Sequence, residues 1–158
     1  MLPDKGPRLT ADEFAILPWG WTPGDAQILT DMVDCGFNLA GFVNAEDLDL
    51  VQAAGMKAIV SHPDLTVTAE TVNLDSAGID EILRPIVAKA IGHPARLGYY
   101  LFDEPHARLF PGLGRWRQAL ERADHGALAY INLYPIYAQP SELGTDTYDE
   151  HLQQYIEQ

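Results

Sequence analysis

The stretch that most constrains this chain is Leu97-Gly98-Tyr99-Tyr100-Leu101-Phe102-Asp103-Glu104-Pro105. Its aromatic and aliphatic run reads as a strand buried on both faces, the pattern of a parallel sheet covered by helices. Pro105 ends the run, because proline has no N–H to give to a ladder. Two adjacent carboxylates, Asp103 and Glu104, therefore stand at the carboxyl end of a buried strand, where parallel α/β proteins place their chemistry. The plainer reading is an acidic turn that solubilises a loop. The rest of the chain has to decide between them.

The flanking segments repeat one alternation. Phe14 to Trp19 reads as a first short strand, and Thr22-Pro23-Gly24-Asp25 as a helix start with Thr22 as N-cap and Pro23 in the first turn. Ile28, Leu29, Met32 and Val33 share one helical face, and Gly36 stops that helix. Phe37 to Val43 is the second strand. Asn44 then caps a short helix whose Leu48 and Val51 face inward. Met56 to Ser61 is the third strand, broken by His62-Pro63, and Asp64 to Asn73 reads as a loop above the sheet. Ile79, Ile82, Leu83, Ile86, Val87 and Ala90 form a helical stripe, with Pro85 expected to kink or divide it. After the opening strand, a loop from His106 to Gly114 leads to a helix bearing Trp116, Ala119 and Leu120. Ala127 to Tyr134 is the fifth strand. Thr147 and Glu150 make a capping box for a last helix with Tyr148, Leu152, Tyr155 and Ile156 on its inner face.

Five strand–helix units predict a parallel sheet with right-handed crossovers, one domain over residues 14–158 behind an N-terminal extension of residues 1–13. Two architectures fit: a complete five-stranded doubly wound sheet, or the first five units of a partial (β/α)8 TIM barrel, a fold that takes about 250 residues. The strand ends favour the barrel. Trp19-Gly20-Trp21-Thr22-Pro23 is bulky where a nucleotide binder carries a Gly-rich phosphate loop. Aromatic and polar groups recur at the other ends: His62, Asp103, Glu104, Asn132, Tyr134 and Tyr137.

Charge narrows the partners. With 10 Lys+Arg against 23 Asp+Glu, the net charge is −13. Such a field repels phosphates and anionic lipid heads, so no nucleic-acid or membrane partner is expected and a neutral substrate suits the surface better. No apolar run reaches the length of a membrane span, and residues 1–12 lack the apolar core of a signal peptide. The location stays open, with the cytoplasm as default. Cys35 is the only cysteine, so an intrachain disulfide is impossible, and it reads as a buried thiol. A Walker loop, a Ser nucleophile elbow and a Cys-x-x-Cys pair are all missing, and no cofactor is expected.

HPARLGYYLFDEP, with AYINLYPIYAQPSELGTDTYDEHLQQYIEQ about 25 residues later, resembles bacterial TIM-barrel proteins of the glycoside hydrolase-like, β-galactosidase-like family. AILPWGW and the GFN strand also fit, so the resemblance covers nearly the whole chain. Members continue into a sixth strand and beyond, and the chain looks like the N-terminal part of such a barrel. The resemblance implies a carbohydrate substrate and hydrolysis of an O-glycosidic bond. It places Glu104 in the general acid/base position and Asp103 where the large retaining clan has Asn. The clan's nucleophile ends a seventh strand, which this chain lacks.

Adjacent strand residues point to opposite faces, so Asp103 and Glu104 are not themselves the carboxyl pair whose separation sets retention or inversion. The expected division is Glu104 at the substrate and Asp103 orienting its neighbours. Trp19, Trp21, Tyr134 and Tyr137 are candidates to stack on sugar faces, with plain packing as the alternative. His62 and Asn132 are candidate hydrogen-bonding groups. Of Tyr99 and Tyr100, one fills the barrel and the other packs under helices. His93, His125 and His151 read as structural, at helix ends or on surfaces.

Two other functions stay open. A metal-dependent barrel isomerase or hydrolase would draw on His62, Asp64, Asp103, Glu104 and His106, although no spacing sets two ligands on one element. A non-catalytic carbohydrate-binding remnant would have open sheet edges to cover by self-association.

Overall fold

The structure, a computed structural model, describes residues 14–158. The extension expected over residues 1–13 lies outside the described residues. Four strands, β1 (Leu39–Val43), β2 (Lys57–Val60), β3 (Arg96–Asp103) and β4 (Leu128–Asn132), form one parallel sheet in the order β1-β2-β3-β4. Their order in space follows the chain, whereas a doubly wound sheet reverses direction inside it. The chain is a partial parallel β/α fold, consistent with an incomplete (β/α)8 barrel. The helices are α1 (Ala26–Asp34), α2 (Leu48–Ala53), α3 (Ser76–Val87), α4 (Phe110–Ala123), α5 (Pro140–Leu143) and α6 (Tyr148–Ile156). None of these is long and apolar enough to cross a membrane.

The strand expected at Phe14 to Trp19 does not form. The segment runs beside β1, where the Asn38 and Leu39 N–H groups both donate to the Ile16 carbonyl at 3.2 Å, and the Asn38 side chain supplies the other ties. The Ile16 N–H donates to Asn38 Oδ1, and Asn38 Nδ2 donates to the Phe14 carbonyl, both at 2.8 Å. Pro18 interrupts any longer ladder, and its carbonyl sits so close to Gly41 that a Cβ there would collide with it.

Helix starts differ from expectation for identifiable reasons. Asp25, not Thr22, caps α1: its Oδ1 accepts from the Gln27 and Ile28 amides at 2.8 and 3.0 Å, the stronger acceptor beside the positive helix end. Thr22 is buried instead. Only Leu29 of α1 is fully buried, with Met32 half-buried and Ile28 and Val33 exposed. Cys35 takes the C-cap position and is exposed, which corrects the buried-thiol reading. Leu48 and Val51 of α2 face inward as expected. The connection from Asp64 to Asn73 is not a plain loop, since 3₁₀ turns form over Pro63–Leu65 and Thr71–Asn73. α3 runs on through Pro85. Pro85 and Glu81, whose carbonyl loses its donor, both face solvent, where water can satisfy it.

α4 begins at Phe110, inside the stretch expected to be loop. Pro111 suits a first turn. Gly112 and Gly114 are tolerated because the helix packs close: a Cβ on Gly112 would strike Val72, and one on Gly114 would lie 3.1 Å from Gln158 Cβ. Close approach outweighs the roughly 1 kcal/mol that each glycine costs a helix.

The main core lies between sheet and helices and includes Trp116, Phe110, Tyr99, Leu29, Leu83 and Leu101. A smaller cluster covers the opposite face of the sheet: Leu39, Phe42, Ile59 and Leu97, with Leu17, Tyr100 and Tyr130 against it. Tyr99 thus packs under helices and Tyr100 on the inner face, the split that strand alternation predicts. At the amino end of β3, Arg96 Nη2 donates to Asp124 Oδ1 at 2.8 Å and the Tyr99 hydroxyl donates to Asp124 Oδ2 at 2.7 Å, all within the core. Burial, then the Asp124 hydrogen bond and charge, push the Tyr99 phenol up. The Thr147–Glu150 capping box of α6 forms. Its buried residue is His151, structural and near the helix start as one of its two expected places allowed, not on the surface, while Ile156 is exposed because α6 turns its His151–Tyr155 side onto Phe110.

Candidate functional site

The carboxyl end of β3 is irregular. Its register with β4 shifts between Tyr100 and Phe102, and Asp103 then pairs with Asn132. Asn132 Nδ2 donates to Asp103 Oδ1 at 2.8 Å, and the Glu104 N–H donates to the Asn132 carbonyl at 2.8 Å. Glu104 has φ +48°, a left-handed conformation that costs a residue with a Cβ about 1–2 kcal/mol. The turn sends the two carboxylates into different surroundings.

Asp103 borders the inner face. The Tyr100 and Tyr130 phenols are pushed up, first by burial and next by the Asp103 charge, Tyr100 to about 12. Around them runs an aromatic row: Trp19 meets Phe42 edge-on with centroids 5.1 Å apart, Phe42 lies 4.4 Å from Tyr100, and Tyr130 lies 6.1 Å from Phe42. Phe42 has φ +38°, an outlier for a bulky residue. Both non-glycine residues with positive φ among the described residues therefore sit at strand carboxyl ends.

Glu104 opens the other way, into a cleft of about 240 Å³ lined with Tyr134, Pro135, Tyr137, Ala138, Gln139 and Glu142. Burial, then the charges of Glu104, Glu142 and Asp103, push the Tyr134 phenol up. The wall is built by α5. The Gln139 side chain and Glu142 form a capping box, in which Glu142 Oε2 accepts from the Gln139 N–H at 2.7 Å.

The structure thus brings Glu104, Tyr134 and Tyr137 into one cleft, and Asp103 and Asn132 into the adjoining hydrogen-bonded pair. Trp19 belongs to the aromatic row instead, and Trp21 is more than half exposed. His62 lies two residues past β2 as the N-cap of the Pro63–Leu65 turn, its Nδ1 accepting from the Asp64 N–H at 3.2 Å. Neither tryptophan nor His62 lines the Glu104 cleft. Phe42, Gln139 and Glu142 escaped the reading of the sequence. The Gln-x-x-Glu spacing was a usable signal for the last two, whereas nothing local marks Phe42. Larger hollows of about 470 and 390 Å³ lie on the helical layer, between α3 and α4 and between α4 and α6. Among the described residues no three His, Cys, Asp or Glu side chains converge to hold a metal. The set His62, Asp64, Asp103, Glu104 and His106 is accordingly not gathered into one.

No family model matches the chain, and no curated protein matches it. In fold it is similar to solved barrels. One is the Pseudomonas stutzeri endoglucanase Cel5A, with TM-score 0.57 and 17% identity over 80% of this chain and 50% of that one. Another is Streptomyces cattleya GH5_18. Its complex with GlcNAc gives TM-score 0.52 and 17% identity over 82% of this chain and 45% of that one. A variant with Manβ1-4GlcNAc gives 0.56 and 17% over 84% and 48%. The chain spans about half the length of these structures. Likeness at this identity shows the fold, a segment of a (β/α)8 barrel.

Proposed function

We propose that the chain is a glycoside hydrolase-like barrel segment that binds carbohydrate at the strand carboxyl ends, with Glu104 as general acid/base. One observation carries this reading: Glu104 opens into a cleft walled by Tyr134 and Tyr137 at the carboxyl end of β3, in a fold similar to that of an endoglucanase. Protonated Glu104 would hand its proton to the departing glycosidic oxygen. The phenols of Tyr134 and Tyr137 offer ring faces to a pyranose and hydroxyls to its rim. Asp103, held by Asn132, orients the strand end. Trp19, Trp21 and His62, which lie outside the cleft lining, are proposed as contacts to more distant parts of the sugar.

Cleavage needs a second carboxylate. Asp103 is engaged through one oxygen by Asn132 and Glu142 through one oxygen by its capping box, and we assign neither as that group. A non-catalytic sugar-binding role is the second reading, and this engagement of both neighbouring carboxylates favours it.

Titration with cello-oligosaccharides and Manβ1-4GlcNAc, beside an aryl-glycoside panel, separates the two. The 158 residues are expected to bind sugar without appreciable turnover, since acid assistance alone is worth only about 10²–10⁴-fold. In a longer chain that turns over, Glu104→Gln should cost at least that factor with folding intact. Unchanged turnover would remove Glu104 from the mechanism.

A further inference from the structure

His151 is wholly buried in α6, and the proposed chemistry does not use it. Its Nδ1 lies 3.0 Å from the Leu143 carbonyl. A carbonyl only accepts, so Nδ1 carries the proton and donates. Leu143 ends α5, whose last carbonyls have no partner within the helix. The imidazole caps one of them. In the neutral ring Nε2 is then a bare acceptor, and it is buried without a hydrogen-bond partner among the described residues.

Rings enclose the imidazole: Phe110 edge-on at 4.8 Å, Tyr148 stacked at 6.2 Å and Tyr134 edge-on at 6.3 Å. The last of these is the tyrosine that lines the Glu104 cleft. One residue beyond the capped carbonyl, Gly144 takes φ +76°, and a Cβ there would collide with the His106 ring. The cleft wall from Tyr134 to Gly144 is therefore backed by two histidines.

We infer that His151, in its neutral form, is a positioning residue for this cleft: it holds the wall from Tyr134 to Gly144 in place, and its protonation releases that wall. The consequence for sugar binding rests on the reading proposed above; the mechanical part does not. Protonation would add a charge and an unpaired Nε2–H where rings exclude water. The titratable groups around it are His106 from the turn after β3, Tyr134 after β4, Tyr148 and Tyr155 on α6, and Glu142 beside Leu143 on α5. Burial lowers the proton affinity of His151; the Leu143 hydrogen bond opposes this and nearby His106 reinforces it. A folded value below the ordinary ~6.5 means that wall docking is complete above that pH. It is lost as the pH falls through the folded value.

Amide hydrogen exchange across residues 134–144, corrected for intrinsic rates, tests this between pH 8 and pH 5. In the native sequence, wall opening should rise at least tenfold at the acid end. In His151→Asn, whose side-chain amide keeps an uncharged donor toward Leu143, protection should hold at both pH values. In His151→Phe it should be low at both. A wall equally protected at pH 8 and 5 in the native sequence overturns the inference, as does an acid response that survives in His151→Asn. If that variant does not fold, NMR titration of the native protein decides. Wall amides moving with the His151 ring support the inference, and wall amides moving with His106 or not at all overturn it. Manβ1-4GlcNAc affinity measured on the same samples keeps the two readings apart. A releasable wall that binds no sugar at any pH counts against the sugar site alone, and sugar binding on a pH-insensitive wall counts against His151 alone.

Discussion

The two ends of β3 carry similar groups and use them in opposite ways. At the amino end an arginine, an aspartate and a tyrosine hydroxyl are sealed in the core and bonded to one another. At the carboxyl end Asp103 and Glu104 stay exposed, and Glu104 adopts a left-handed backbone. Taking both charges of a pair out of water yields little net stability, but leaving one of them alone is heavily penalised. The amino end therefore specifies how α4 docks on the sheet. The carboxyl end gives up stability through strain at Glu104, as the neighbouring end of β1 does at Phe42.

The largest expected effect breaks the amino end. Arg96→Met should lower stability by about 3–5 kcal/mol, read from the urea midpoint, because Asp124 is left buried and uncompensated. Adding Asp124→Leu should restore much of that loss, since Arg96 Nε and Nη1 have no partner among the described residues and the native pair is itself imperfectly satisfied. A silent Arg96→Met would erase the contrast between the two ends.

Tyr99→Phe comes next, at about 1–3 kcal/mol, by depriving Asp124 Oδ2 of its donor. Chemical denaturation of that variant measures it, and a change below about 0.5 kcal/mol would place the hydroxyl outside the network. The carboxyl end should respond with the other sign. Glu104→Gly relieves the positive φ and should gain up to about 1 kcal/mol of stability, while abolishing whatever the carboxylate does in the cleft. A loss of stability would mean that the Glu104 side chain contributes more than its backbone costs.

The smallest effect is alkaline. Tyr100 is raised from about 10 to about 12 in the folded state, so its contribution is present below pH 10 and is lost as the pH rises toward 12. Asp103→Asn should move the phenol down, as seen by phenolate absorbance. An unmoved titration would take Asp103 away from the inner face.

What was legible in the sequence depended on how local the cause was. Alternation along β3 separated Tyr99 from Tyr100, and the Thr147–Glu150 spacing located the start of α6. Leu48 and Val51 followed from helical period. The beginning of α4 was hidden, because Gly112 and Gly114 are explained only by the closeness of Val72 and Gln158. Phe14 to Trp19 has strand composition, yet its fate was set by Pro18 and by the Asn38 side chain. Alternation told that Asp103 and Glu104 diverge. The surroundings each one meets depend on the φ of Glu104 and on α5, neither of which a local pattern encodes. The burial of His151 was not legible because it comes from Phe110, Tyr134 and Tyr148, two of them far away in the chain.

Along β1, a side-chain amide and two backbone bonds to the Ile16 carbonyl stand in for a strand. Asn38 closes its two hydrogen bonds with Phe14 and Ile16, and Gly41 admits the Pro18 carbonyl against the sheet. A foreign chain seeking to extend the sheet there would meet proline and an occupied amide rather than a row of free peptide groups.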